Sequence, residues 1–218
     1  MNNHTKSLEL SHFPVMLNEI LKISLPSKGG TFIDCTFGGG NYSKQLLKFP
    51  KTIVKGLDRD SNVKVIGKEL EEQFPQRFKF YQITFSQLNT IIKNNVDVII
   101  FDLGLSSIQL NDLERGFSFK SNNKLDMTMG LNKISAQHAI NNLSELDLKL
   151  IIKILGEEKE AGRIAKNIVK FRDEKKITKV KDLVQIIEKS KKKNFSSKIN
   201  PCTKTFQALR IFVNKEIT

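Results

Sequence analysis

Tryptophan is absent from this 218-residue chain, and only 2 cysteines occur in it. Cys35 and Cys202 stand in unrelated contexts, with no metal-ligand spacing and no His/Cys cluster, so neither a zinc site nor a disulfide framework organises the fold. They read as packing residues or spare thiols, which suits a reducing, cytoplasmic setting. No apolar run approaches the ~20 residues of a membrane span, so no membrane partner is expected. The polar stretch Met1 to Ser11 has no apolar core of the kind a secretory signal needs. No Walker lysine pattern and no internal repeat are found. Acidic residues are in deficit, 23 against 36 Lys and Arg, which leaves a net charge of +13 and a pI near 9.7. A polyanionic partner, most simply nucleic acid, suits that balance. Lys, Asn and Ile abound as in an AT-rich genome, so codon bias alone can supply much of the lysine. The placement is uneven, however: twelve Lys or Arg and four Asp or Glu lie between Lys170 and Lys204, densest at Lys191, Lys192 and Lys193. This stretch reads as an electrostatic surface for phosphates, with a solvated helix face accounting for part of it.

What is present is an alternation. Val15 to Ile23 has helical periodicity behind Pro14. Strands are expected at Thr31–Thr36, Thr52–Leu57, Phe78–Ile83 and Val96–Phe101, with helices at Ser43–Lys48, Ser61–Phe74 and Gln87–Lys93 between them. Strands and helices alternating at short spacing imply an α/β fold with a parallel sheet and helices on both faces. The pattern stops at Asp102. Leu105 to Asp126 reads as a polar loop, and the rest as helices at Ala136–Leu143, Glu145–Leu155, Lys159–Arg172, Val180–Ser190 and Thr203–Glu216. The division is therefore 1–104, a mostly helical module over 105–202, and a helix over 203–218 returning to the core. A sheet of this type normally continues past a fourth strand, and none follows; either the helices cap a four-stranded sheet or the chain is incomplete.

The densest signal is Thr31-Phe-Ile-Asp-Cys-Thr-Phe-Gly-Gly-Gly-Asn-Tyr-Ser43, a strand running through three consecutive glycines into a helix. Glycines allow a tight turn and close approach of backbone to a ligand. Asp34 lies in the first strand, Asp58 ends the second and Asp102 ends the fourth. Ligands of open α/β sheets bind beyond the carboxyl ends of the strands. Asp58 falls 18 residues after Gly40, where a carboxylate accepts from ribose hydroxyls. One such Asp by itself more often caps a turn; the ordered set favours a cofactor site. Contiguous glycines differ from the G-x-G-x-x-G of a dinucleotide fold, and an acid-rich crevice suits the cation of S-adenosylmethionine better than a pyrophosphate. Phe85, just past the third strand, can pack on an adenine or belong to the core. Gln109, in Asp102-Leu-Gly-Leu-Ser-Ser-Ile-Gln-Leu110, can contact cofactor or substrate or be an ordinary surface glutamine.

These residues resemble the bacterial small-subunit ribosomal RNA cytosine-N4 methyltransferases, the RsmH/MraW family. The resemblance runs from His12 to Glu216 and rests on His12-Phe-Pro-Val-Met-Leu-Asn-Glu19, the glycine block, Asp58-Arg-Asp60, Phe101 to Leu110, Glu114-Arg-Gly-Phe-Ser-Phe119, Leu125-Asp-Met-Thr-Met129, Gly156-Glu-Glu158 with Arg163-Ile-Ala165, and Thr203-Lys-Thr-Phe-Gln-Ala-Leu-Arg-Ile211. It implies a Rossmann-like class I methyltransferase core with an incomplete parallel sheet and a helical insertion that contacts RNA. S-adenosylmethionine is then the cofactor, held by Gly40, Asn41, Tyr42, Asp58, Phe85, Asp102 and Gln109, and no metal is used. The implied partner is small-subunit rRNA within the small ribosomal subunit, and the implied target is N4 of a cytidine in its decoding region. Asp102, or the loop backbone beside it, is the candidate catalytic group, orienting the amino group for attack. Lys191, Lys192 and Lys193 are the candidate RNA contacts.

The sequence departs from the family where Asn41-Tyr42 replaces a turn ending in His, where Ile108 replaces Pro, and where Thr128 and Gly130 replace Arg and Asp. Asn tolerates a left-handed backbone better than most residues, so the turn can survive this change. Family members also continue with further strands, so weak cofactor binding and little methyl transfer are expected of this chain. A methyltransferase with another acceptor and an RNA-binding remnant without activity are the alternatives.

Overall fold

The computed structural model describes residues 14–132, 134–191 and 199–217. They form two compact units, one ending at Ser107 and the other beginning at Ile108.

The first unit is a four-stranded parallel sheet in the order β3-β2-β1-β4. β1 (Gly30–Asp34) pairs with β2 (Thr52–Leu57) on one side and β4 (Val98–Ile100) on the other, and β2 pairs with β3 (Phe78–Tyr81). Phe32 and Ile33, on opposite faces of β1, are both fully buried, as a central parallel strand requires. α1 (Leu17–Ser24) precedes the sheet; α2 (Asn41–Leu47) follows β1, and α3 (Lys64–Gln73) follows β2. Because the chain goes β1 to β2 to β3 in one direction and then returns to place β4 on the far side of β1, the strand order switches between β1 and β4. A crevice opens at such a point.

Two expected elements differ. The segment after β3 is a 3-10 helix, Phe85–Thr90, rather than an α-helix over 87–93. Thr84 and Gln87 close a capping box at its start, and Leu88, Ile91 and Ile92 pack beneath Ile33, Cys35 and Leu57. β4 is shorter than Val96–Phe101. The Asp97 carboxylate accepts from the Thr31 backbone N–H at 2.7 Å, so its position ends the strand with a side-chain bond. Among the described residues β4 is paired on one side only.

The second unit is helical: α4 (Ser107–Asn111, bridging the division), α5 (Ala136–Asn142), α6 (Glu145–Gly156), α7 (Ala161–Glu174), α8 (Val180–Ser190) and α9 (Thr203–Asn214). Ser135 and Ser144 cap α5 and α6 by accepting from the His138 and Asp147 N–H groups. Leu148, Ile152, Ile164, Ile168, Leu183, Ile187 and Leu209 are fully buried. α9 packs on α6, burying Phe206, Leu209 and Val213 within this unit. The stretch read as a polar loop contains α4 and a 3-10 turn, Leu113–Arg115. Its later part is held by side-chain bonds to backbone. Arg115 Nη2 donates to the Thr128 carbonyl at 2.8 Å. The buried Asn214 at the end of α9 accepts from Met129 N–H at 2.9 Å and donates to the Met127 carbonyl at 2.8 Å. Met127 itself takes a left-handed backbone, φ 60°, with its side chain fully buried. Gly130, where the family pattern has Asp, has φ 79°, a conformation glycine adopts without cost.

Candidate functional site

At the carboxyl end of β1 the chain turns through Gly38-Gly39-Gly40 into α2. The left-handed backbone falls on Gly38, φ 50°, and Gly40, φ 72°. Asn41 is the first residue of α2, so the turn does not draw on its tolerance of that backbone. Gly40 has no room for a side chain, since a Cβ there would stand 2.7 Å from the Phe37 ring. That ring is itself held between Phe78 and Phe80, with centroids 5.6 and 5.2 Å away.

Two carboxylates hold this turn. Asp34, fully buried, accepts from Ser43 Oγ at 2.8 Å and from Thr36 N–H at 3.3 Å, tying the strand end to α2. Burial, the largest cause, pushes its carboxyl up from 3.8 to about 6, against the opposing pull of the Ser43 bond. Asp58 stands just past β2 and remains partly open. One of its oxygens accepts from Gly38 N–H and the other from Asp60 N–H, both at 2.8 Å. Its carboxyl is raised as well, chiefly by desolvation.

Across the switch point, Asp102 N–H donates to Thr36 Oγ1 at 2.8 Å, which pins the loop after β4 to the loop after β1. The Asp102 side chain is exposed. Tyr42, on α2, donates its hydroxyl to the Val15 carbonyl at 2.5 Å. Burial, then the negative charges of Asp102 and Asp34, push that hydroxyl up to about 12 and keep it protonated. Phe85 opens the 3-10 helix and meets Phe101 edge-on, centroids 5.7 Å apart, with both rings part-exposed. Gly104 has no heavy atom within 4 Å of where a Cβ would stand, so space is open beside the β4 exit. Burial raises the Cys35 thiol to about 11, which leaves it a packing residue.

The first unit thus brings Gly40, Asn41, Tyr42, Asp58, Phe85 and Asp102 to one end of one sheet. Gln109, on α4, is buried and falls within the second unit. Lys191 donates to Glu158 Oε2 at 2.6 Å and to the Pro201 carbonyl at 3.0 Å, and Glu158 is 4% exposed. It is therefore engaged in holding the helices of the second unit. Lys192 and Lys193 lie outside the described residues. Sequence reasoning passed over Thr36, Ser43 and Phe101; Thr36 and Ser43 flank the glycine turn, and their hydroxyls were a usable signal.

The cradle fits S-adenosylmethionine. It offers a backbone that approaches closely, a carboxylate after β2 for ribose hydroxyls, an aromatic pair for the adenine and acidic groups for a cationic centre. Among the described residues no group of His, Cys, Asp and Glu is arranged to hold a metal ion. This fold and crevice are those of the Rossmann-like methyltransferases that use S-adenosylmethionine.

The sequence pattern of the MraW methylase family matches residues 9–218. Curated relatives named ribosomal RNA small subunit methyltransferase H include that of Bartonella tribocorum, 42% identical over 206 residues, covering 94% of this chain and 62% of the relative. The Ehrlichia canis relative is 40% identical over 94% of this chain and 71% of its own length, and the Brucella ovis relative 36% over 99% and 64%. The chain belongs to the MraW methylase family. It spans a little under two thirds of the Bartonella and Brucella relatives.

Proposed function

We propose that this chain binds S-adenosylmethionine at the carboxyl ends of β1, β2 and β4 and serves the methylation of N4 of a cytidine in the decoding region of small-subunit rRNA, in a cytoplasmic setting. The observation that carries the reading is the bond from Gly38 N–H to Asp58. It joins the glycine turn that would underlie the cofactor and the carboxylate that would take its ribose into one rigid piece. An ionised carboxylate has about four acceptor sites. The bonds from the Gly38, Arg59 and Asp60 backbone leave Asp58 acceptor capacity toward a ribose hydroxyl.

When bound, the cofactor supplies an electrophilic methyl carbon on a sulfonium centre. The protein's part is placement. The cytosine amino lone pair is delocalised into the ring, so it must be held in line with its target. Holding both partners in near-attack geometry is worth up to roughly 7–11 kcal/mol. Asp102 suits this task because Thr36 holds its backbone and the Tyr42 hydroxyl lies beside its carboxylate, while the residue stays exposed to an incoming amino N–H. The base enters by turning out of any stack.

The test is calorimetry with S-adenosylmethionine, followed by methyl transfer to small ribosomal subunits lacking the modification. Asp58→Ala should weaken cofactor binding by about 1.5–3 kcal/mol, the range for hydrogen bonds to a charged group. Unchanged affinity in a folded variant would remove Asp58 from the site.

A further inference from the structure

Tyr42 stands where three parts of the first unit meet: α2, the segment before α1 and the exit of β4. We infer that it is a positioning residue for methyl transfer. Its hydroxyl stands between the Val15 carbonyl and the Asp102 carboxylate, fastens the segment before α1 to the crevice, and sets the direction in which Asp102 meets the amino group of the base. This deepens, and rests on, the reading of Asp102 as the group that accepts from that amino group.

Tyr42 is the second residue of α2, and its side chain is buried. Its hydroxyl donates to the Val15 carbonyl at 2.5 Å, and the Asp102 carboxylate is within hydrogen-bonding reach of the same hydroxyl. A phenol has one hydrogen to give. Two acceptors therefore contest it, a neutral carbonyl and a carboxylate. With the hydrogen on Val15, the segment before α1 is fastened and Asp102 keeps its lone pairs for an incoming amino N–H. With the hydrogen on Asp102, the carboxylate is held but the segment is released. An amino N–H that arrives at Asp102 satisfies the carboxylate and returns the phenol hydrogen to Val15, so entry of the base and fastening of the segment go together. The backbone of Asp102 is already fixed by Thr36 Oγ1 at 2.8 Å. What remains free is the rotation of its side chain, and Tyr42 stands beside that.

The segment that Tyr42 fastens has few other ties. α1 is bounded by Met16 at φ 53° and Leu25 at φ 47°, left-handed backbone on two residues with large side chains. Such positions persist only where the surroundings hold them. Leu17 is the buried side chain of α1, while Val15, Met16 and Ile23 are exposed. Among the described residues, the Tyr42 hydroxyl makes the one side-chain hydrogen bond that reaches Val15–Ser24. A simpler account makes Tyr42 a buried ring whose polar tip needs an acceptor. The Val15 carbonyl alone would satisfy it, which leaves unexplained why the tip also faces the exposed acid at the end of β4.

The chain has 2 tyrosines and no tryptophan, so its intrinsic emission comes from Tyr42 and Tyr81 alone. Tyr81→Phe makes Tyr42 the only reporter. A phenol paired with a carboxylate emits weakly, so adding Asp102→Asn to Tyr81→Phe should brighten the emission at neutral pH. The second measurement is methyl transfer to small ribosomal subunits lacking the modification. Tyr42→Phe keeps the ring and removes the hydroxyl; kcat should fall about tenfold, as for a slight misplacement of the reacting groups, with KM for S-adenosylmethionine changed less than about twofold. In an Asp102→Asn background the same change should cost little more, since the two act as one unit. Emission that Asp102→Asn leaves unchanged, an unaltered kcat in Tyr42→Phe, a loss confined to KM, or losses that multiply fully would each overturn the inference. A parent chain that transfers no methyl group would refute the methylation reading and with it the positioning role, and the emission comparison would still decide whether Tyr42 pairs with Asp102.

Discussion

Replacing Asp34 by Asn should stabilise the protein at neutral pH while changing little in acid. Asp34 is fully buried, and its carboxyl is raised from 3.8 to about 6 in the folded chain. Below 3.8 both folded and unfolded chains hold the proton, and the group takes nothing from stability. As the pH rises toward 6 the unfolded chain releases its proton and the folded chain does not, so stability falls. Above 6 the buried charge is present and the loss is complete. At about 1.4 kcal/mol per pH unit the full cost is about 3 kcal/mol. Asn can replace the carboxylate in part: its Oδ1 accepts from Thr36 N–H and its Nδ2 donates to Ser43 Oγ, whose hydroxyl hydrogen rotates away, while the bond from the Ser43 backbone N–H is lost. Part of the gain is offset by weaker bonds to a neutral group, which leaves a net stabilisation of about 1–3 kcal/mol. Urea unfolding of parent and variant at about pH 4 and about pH 8 measures it, and the difference between them should grow with pH. A difference that stays constant over that range, or a variant less stable at the higher pH, would show that the hydrogen bonds to the ionised carboxylate outweigh its desolvation.

Gly40→Ala should cost about 1–3 kcal/mol, since φ 72° and the Phe37 ring 2.7 Å away both oppose a Cβ; thermal melting reports it, and an unchanged melting point would mean the turn can shift. Lys191→Ala should destabilise the chain by about 3–5 kcal/mol because it strands the buried Glu158 carboxylate. Its fingerprint is recovery of stability in Lys191→Ala combined with Glu158→Gln, followed by urea denaturation. Tests of the lysine run as an RNA surface should therefore leave Lys191 intact.

β1, β2 and β3 were legible because their residues alternate or run apolar between turn residues, and the alternation with helices dictated a parallel sheet. The placing of Gly40, Asp58 and Asp102 at strand ends was legible because the strands leading into them were. What escaped depended on partners far along the chain. β4 stops short because Asp97 reaches back 66 positions to Thr31. Lys191 looked like part of a solvated run because Glu158, its partner, is 33 positions away. The segment after Asp102 lacks periodicity because side chains, not a helical ladder, satisfy its backbone. The tolerance of Asn41 for a left-handed backbone is not used, because Gly38 and Gly40 carry that conformation.

The Asn214 clamp has a consequence for the order in which the chain can fold. Met129 meets Asn214 across 85 intervening steps of sequence, and Met127 across 87. The β-strands of the first unit need nothing beyond Ile100 to pair. During synthesis the sheet can therefore assemble while α9 is still inside the ribosome, but the stretch around Met127 cannot. Its left-handed residue and its unsatisfied amide must wait for α9 to emerge, so contacts of long sequence separation set the pace of the second unit. The first unit can thus pair its strands well before α9 is made, whereas the second is completed only once α9 has left the ribosome.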